Sequence, residues 1–449
     1  MTFITPKNPA KPLFWKEYRA LSRSEPAFVG LLLADCCLLL SELMMLVIVP
    51  WWVAKAGGAT SLAIYSAAVA IVAFLSVPLA SPFGDRYCKV MQMRYGAAVL
   101  LVTAATLACF TAFLQFRLVP VIAIGSLLMA ATRFAEQAQW AAIADLVSPE
   151  RLTLAIRIRK TCHAASGVLG PLLAGLALSL TGVAGALIAY AAMLGLALSF
   201  SLRLPVRKMR NRADDRIALW WRELKEGLSA KWHMPMERGW TIVNFVVWIF
   251  QGPAVGILIP IKIQSLGMSG SWLGASLGAL SFGVLLGSAF GAQWLVDRFG
   301  RYQVRIGVGC LEGICLVIVG FASSPWIMLC ALAAGGFCNA AMSLVGATHR
   351  MLAVPQNYRI RLSAASAMTT EIAGVIGPAL AGMALAWWSV NTVYAGFGVL
   401  MALCVLGLTL VPRFKEFLTL DHADASDWYA KQYPTLFAKA MPPDGGRMQ

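Results

Sequence analysis

A chain of 449 residues that is 59% hydrophobic and only 13% charged is too apolar for a soluble domain, which carries roughly a quarter charged residues to cover its surface. The net charge of +16 would suit nucleic acid, but the basic residues sit beside apolar segments, where anionic lipid headgroups attract them, so no nucleic-acid partner is expected. Ten cysteines scattered without paired metal-type spacing predict neither a disulfide framework nor a metal site.

A membrane crossing needs about 20 mainly apolar residues. Such runs fall at 27–53, 61–83, 92–115, 119–145, 162–181 and 183–204, and again at 240–263, 272–296, 304–322, 326–348, 363–387 and 389–411. They are continuously apolar, whereas barrel strands alternate over about ten residues. The expected fold is therefore all-α and membrane-spanning, with twelve helices. Ahead of the first run, segment 1–26 carries Phe14, Trp15, Tyr18 and Leu21 as one face of an interfacial helix, with Lys16, Arg19 and Arg23 toward headgroups. The first run holds Asp35 and Glu42 and is long enough to span, which argues against a cleaved signal peptide. Between the halves, the basic linker 205–239 contains Trp220, Trp221, Leu224 and Leu228, the pattern of an amphipathic surface helix. The tail 413–449 is polar with scattered aromatics, Trp428, Tyr429, Tyr433 and Phe437, and reads as cytoplasmic.

Positively charged loops stay on the cytoplasmic side. With both termini inside, 33 of the 37 basic residues fall in or beside the tails and even-numbered connections; Lys55, Arg117 and Lys262 fall outside, and Arg133 lies within a helix. This predicts cytoplasmic termini in a bacterial-type inner membrane.

The two halves, 27–204 and 240–412, repeat. Pro50 aligns with Pro260, Gly57 with Gly267, Asp85-Arg86 with Asp297-Arg298, and the Gly167–Gly175 run with Gly374–Gly382. Ordered landmarks at a nearly constant offset mark a duplicated six-helix unit, which places a substrate path between the halves near the bilayer midplane.

These features resemble the major facilitator superfamily over nearly the whole chain to about Pro412. Asp297-Arg298-Phe299-Gly300-Arg301 is similar to the family's cytoplasmic Asp-Arg-x-Gly-Arg motif. Asp85-Arg86-Tyr87-Cys88-Lys89 is its first copy, with Cys88 in place of Gly. There an Asp at a helix end can hold loop arginines and a neighbouring helix N-terminus, a charge latch that breaks as the halves rock. Gly167-x-x-Gly170-Pro171-x-x-Ala174-Gly175 resembles the helix 5 motif of drug/proton antiporters, with Ala174 replacing one Gly; Gly377-Pro378 carries it in the second half. Small residues permit close helix approach and proline bends the helix; simple tight packing is the other reading. The lead-in from Asp145 to Leu152 is similar to the branch holding enterobactin and macrolide exporters. Arg133-x-x-Glu136-Gln137 resembles the helix 4 motif Arg-x-x-Gln-Gly, with Glu136 and Gln137 departing from it.

Asp35 and Glu42 lie seven residues apart on one face of helix 1, and Arg133 and Glu136 three apart on helix 4. A charge at the bilayer centre costs at least ~2.5–3.5 kcal/mol, so these four should face a cavity or one another. The resemblance implies that helices 1, 4, 7 and 10 line the path. Helix 7 repeats the spacing with Asn244 and Gln251, neutral where helix 1 is acidic, which suggests proton coupling in the first half and substrate hydrogen bonding in the second. Trp140, Trp248 and Asn339 fall on path-lining helices, and Glu371 on helix 11 precedes the Gly-Pro motif. Glu312, on helix 9, is expected near a headgroup or helix contact. In the expected mechanism Asp35 or Glu42 exchanges a proton: burial favours its neutral form, approach of Arg133 its charged form, and rocking alternates the two. A permanent charge network that merely orients helices is the alternative.

The sequence thus points to a monomeric secondary active transporter, driven by a proton gradient without other cofactor, exporting a small organic molecule such as a siderophore or amphipathic drug amid membrane lipids. An importer or lipid-handling carrier, or a membrane sensor that moves nothing, remains open. An enzyme is not expected: there is no phosphate-binding glycine loop ending in Lys-Ser/Thr.

Overall fold

A computed structural model describes residues 25–86, 88–148, 151–206 and 216–437. Among them the regular structure is helical, and ten stretches are long and apolar enough to cross a membrane. In chain order these are α1 (Pro26–Arg86), α2 (Lys89–Phe113), α3 (Leu118–Leu146) and α4 (Leu152–Leu202). After the linker helix α5 (Arg216–His233) come α6 (Pro235–Pro253) with α7 (Ile259–Ser265), and α8 (Gly270–Leu286) with α9 (Ala292–Phe299). The last are α10 (Arg301–Phe321), α11 (Pro325–Ala353), α12 (Gln356–Trp387) and α13 (Val390–Leu406). Apolar side chains lie both in the interior and outward, as for Leu180, Phe321 and Trp387, the surface of a multi-pass membrane protein.

Two helices are far longer than one crossing. The 61-residue α1 breaks at Gly58 (φ 75°) and the 51-residue α4 at Gly182 (φ 69°). Left-handed backbone is cheap only for glycine, so Gly58 alone replaces the loop expected between 53 and 61, and Gly182 is the one residue left between the runs ending at 181 and starting at 183. Gly267 (φ 68°) ends α7 in the same way. Its structural counterpart is Gly58, one residue beyond the Gly57 of the sequence alignment and at the offset that relates Asp35 to Asn244. Gly57 instead gives room: a Cβ there would lie 2.7 Å from Phe116.

On the linker side the helices outrun the expected spans. The run placed at 162–181 starts at Leu152, and that placed at 363–387 starts at Gln356. Their added turns contain Arg157, Arg159 and Lys160, or Arg359 and Arg361, good helix formers that hydropathy reads as loop. π-turns at Ala254–Leu258 and Gly287–Gly291 join α6 to α7 and α8 to α9, and such turns locally widen a helix.

The halves meet tightly at the end carrying the three glycine turns. A Cβ on Gly175 would come 2.8 Å from Gly274 Cα, and one on Gly270 would come 3.0 Å from Leu178. Gln264 Nε2 donates to the Trp51 carbonyl at 3.1 Å. Lys262, counted from sequence as an outer loop residue, is buried here, donating to Gly320 O at 2.8 Å and Asn391 Oδ1 at 2.6 Å. Ammonium burial demands such partners.

At the opposite end the linker helix packs Leu224 against Ala365 and Met368 of α12, with Phe74 of α1 at the same cluster. The tail forms four short helices from Phe414 to Phe437. Its Phe414, Phe417, Trp428, Tyr429 and Phe437 are buried; Trp240 of α6 lies edge-on to Phe414 at 5.0 Å, and Tyr358 of α12 to Phe437 at 4.9 Å. The aromatics that look scattered in a polar tail form one docking face. The N-terminal segment 1–24 lies outside the described residues.

Candidate functional site

The four charges of the first half divide into two groups. Asp35 is held by a bidentate pair with Arg159 of α4, Nε to Oδ2 and Nη2 to Oδ1 both at 2.6 Å, and by His163 Nε2 at 2.7 Å. Asp35 and Arg159 are 1% and 2% exposed. Such fork-to-fork pairing fixes both partners. Arg133 does not approach Asp35: it pairs with Glu136 at 3.3 Å and, across to the other half, with Glu371 at 3.6 Å. Glu42 is half-buried in a small pocket that it shares with Ser41, Thr132, Glu136, Gln139 and Tyr190.

Arg159 and His163 were not foreseen, because they were assigned to a loop and its edge. Their spacing of four puts both on one helical face, and adding the repeat offset of 207 gives Ser366 and Thr370, which line the corresponding pocket of the second half. That was the available signal.

In the second half, Asn244 Oδ1 accepts from Arg305 Nη2 at 2.7 Å. Gln251 donates to Glu312 Oε1, and Asn339 donates to the same oxygen at 3.4 Å. Glu312, expected at a headgroup or helix contact, is 4% exposed and joins α10 to α6 and α11; its Oε2 has no hydrogen-bond partner among the described residues. Amides at the positions of Asp35 and Glu42 thus hold an arginine and a carboxylate supplied by α10.

Nearer the linker, Glu237 is fully buried between Arg350, whose Nε lies 2.7 Å away, the Tyr429 hydroxyl of the tail, and Lys231 of α5 at 3.8 Å. Lys231 donates to Ser366 Oγ at 2.6 Å, and burial pushes its ammonium down to about 7. A second, roomier pocket is lined by Lys231, Thr241, Asn244, Phe245, Trp248, Arg350, Ser366, Thr369 and Thr370. Trp248 is thus among the lining residues, whereas Glu371, next in sequence to Thr370, is not. The Trp140 side chain lies outside the described residues.

Of the motif residues, Asp297 accepts from Gln293 of its own helix at 2.7 Å, and among the described residues forms no ion pair. Arg298 is exposed, Gly300 turns the chain at φ 80°, and Arg301 donates to the tail carbonyl of Leu420 at 3.1 Å. The side chains of Asp85 and Arg86 lie outside the described residues, as do Pro149 and Glu150 of the helix 5 lead-in. Gly170 and Gly377 serve equivalent contacts: a Cβ on Gly170 would meet Leu43 of α1 at 2.6 Å, and one on Gly377 the Ile249 carbonyl of α6 at 2.7 Å. Pro171 and Pro378 sit inside α4 and α12 without ending them.

The architecture matches solved transporters. A POT family transporter in complex with 5-aminolevulinic acid is 11% identical, with a TM-score of 0.66 over 87% of this chain and 97% of that one. A bacterial homologue of the iron transporter ferroportin in an inward-facing state is 17% identical, with a TM-score of 0.63 over 88% and 99%. A bacterial homologue of the human lysosomal transporter Spinster, inward-facing and unoccupied, is 14% identical, with a TM-score of 0.57 over 93% and 98%. At these identities the likeness is one of fold. No curated protein matches the chain. The family model of the Major Facilitator Superfamily matches residues 31–293 and 241–419, which span the helices and both pockets, and the chain belongs to that superfamily.

Proposed function

We propose that this protein is a proton-coupled exporter of a small organic molecule, a siderophore or amphipathic drug, working by alternating access, with Glu42 as the proton-exchanging group. The observation that carries the reading is the contrast between the two acids of the first helix. Asp35 is locked by Arg159 and His163, whereas Glu42 sits mid-helix in a pocket beside Glu136, with no ion pair among the described residues. A carboxyl that changes protonation must be free to lose and regain water and a counter-charge, and Glu42 is placed for that. Arg133, tied across the halves to Glu371, is the group whose position changes as the halves rock.

The breaks at Gly58 and Gly182 favour counting α1 and α4 as two crossings each, hence twelve, with both ends and the basic linker in the cytoplasm. Tight contacts at the glycine-turn end, and the exposure of Glu136 (42%) and Trp248 (42%), fit a state closed outward and open toward the linker. Export rests on the helix 5 motif at Gly170-Pro171, and the monomer on each chain carrying both halves of its path. Protein in liposomes loaded with a pH-sensitive dye, given a panel of siderophores and cationic drugs under an imposed gradient, should show substrate-dependent proton movement. Uptake of the active compound into inverted membrane vesicles should follow acidification of their interior. Uptake by right-side-out vesicles instead would make the protein an importer.

A further inference from the structure

The second-half pocket has an unusual charge inventory. Three cations border it or back its wall: Lys231 (2% exposed), Arg350, and Arg305 (5% exposed) behind Asn244. One carboxylate, Glu237, lies among them, and both of its oxygens are occupied by Arg350, with Tyr429 sharing Oε1. Lys231 stands 3.8 Å from Glu237 and spends its best hydrogen bond on a neutral hydroxyl, Ser366. Among the described residues Arg305 Nε is buried without an acceptor. Of the other acids nearby, Glu371 pairs with Arg133 and Glu312 binds Gln251 and Asn339. Buried positive charge in excess of its counter-ions is costly, and an anion entering the pocket relieves that cost.

The rest of the lining suits such a guest. Thr241, whose hydroxyl accepts from Lys231 and Arg350, can turn its own hydrogen to the guest, the Ser366 hydroxyl holds Lys231 at the wall, and Phe245 and Trp248 offer apolar faces to the body of the same molecule. We propose that this pocket binds the carboxylate or phosphate group of an organic anion, with Lys231 and Arg350 as the charged contacts and the linker helix thereby part of the binding site. The assignment rests on the transporter reading in one respect, that the ligand is the cargo; it narrows that cargo to molecules with an anionic group beside an apolar one.

The test is equilibrium binding to the full chain in phosphatidylcholine nanodiscs, with no gradient imposed. Benzoate and phenyl phosphate are titrated against benzamide, their neutral counterpart. Both anions are expected to bind at least about tenfold tighter than benzamide, with Lys231→Gln removing most of that preference and Lys231→Arg restoring part of it. Ser366→Ala, which alters no charge, should weaken anion binding a few-fold. Equal affinity for benzoate and benzamide, or full anion affinity in Lys231→Gln, would overturn the assignment. So would loss of benzoate binding when phosphatidylglycerol replaces phosphatidylcholine, since a lipid headgroup would then own the pocket. Binding is read without transport, so its failure leaves proton coupling to the flux assay, and a protein that binds anions but moves no protons fails only the coupling.

Discussion

The two halves share one backbone plan but distribute charge differently over it. In the first half the acid is on the first limb of α1 and its partners on α4: Asp35 with Arg159 and His163. In the second, the matching positions are amides and hydroxyls, Asn244, Gln251, Ser366 and Thr370, and the charges come from elsewhere: Arg305 and Glu312 on α10, Lys231 on the linker, Arg350 on α11. The duplication conserves where helices touch, as Gly170 and Gly377 show, and leaves the chemistry of each cavity wall free. One wall then offers carboxyls, the other cations and hydroxyls.

The comparison is most strongly tested at Asp35. Asp35→Asn leaves Arg159 buried without its carboxylate, a loss of about 3–5 kcal/mol, read as a large drop in thermal midpoint or folded yield. Asp35→Leu with Arg159→Met, which removes both charges, should recover most of it. A mild single variant would mean that the pair is not a fixed structural element of the first half.

Lys231 offers the opposite case, a cation whose charge costs stability. Its neighbours are Glu237 and Arg350 with the hydroxyls of Thr241 and Ser366. With its folded value near 7 and the ordinary value at 10.5, the unfolded chain binds the extra proton between those limits, so stability should rise with pH across that window. Lys231→Met should therefore show its greatest gain in thermal midpoint at pH 6 and a smaller one by pH 9.5. A gain independent of pH would show that its charge is not what costs.

Tyr429→Phe removes the hydroxyl that the tail lends to Glu237 and should cost about 1–3 kcal/mol, seen as earlier melting and faster proteolysis of the tail. The smallest effect is expected at the bridge between the halves. Arg133 and Glu371 keep 32% and 23% side-chain exposure, so Glu371→Gln should change stability by about 0–1 kcal/mol. It should nonetheless alter the labelling rate of a cysteine introduced at the cavity mouth.

Much of the fold was legible because hydropathy reports helices directly in a lipid solvent. What it could not report was the extent of helices beyond the apolar zone. The charged turn around Arg159 reads as loop, so the partner of Asp35 was missed and Arg133 was expected instead. Glu312 reads from sequence as a headgroup or helix contact, and nothing in its own helix signals that Gln251 and Asn339, both expected at the cavity, converge on it. The tail was opaque for a related reason: Phe414, Phe417, Trp428 and Phe437 have no regular spacing, and short helices with turns between them bring the aromatics to one face. Gly58 was misplaced by one residue because two adjacent glycines are equal in sequence and only one needs positive φ.

The central claim is that Glu42 carries the coupled proton. The direct measurement compares wild type with Glu42→Gln, in liposomes, for two reactions of one identified substrate: accumulation driven by a proton gradient, and gradient-free exchange of labelled for unlabelled substrate. The account predicts that the variant keeps exchange and loses accumulation together with its proton movement. Gradient-driven accumulation undiminished in Glu42→Gln would contradict it and place the coupling elsewhere.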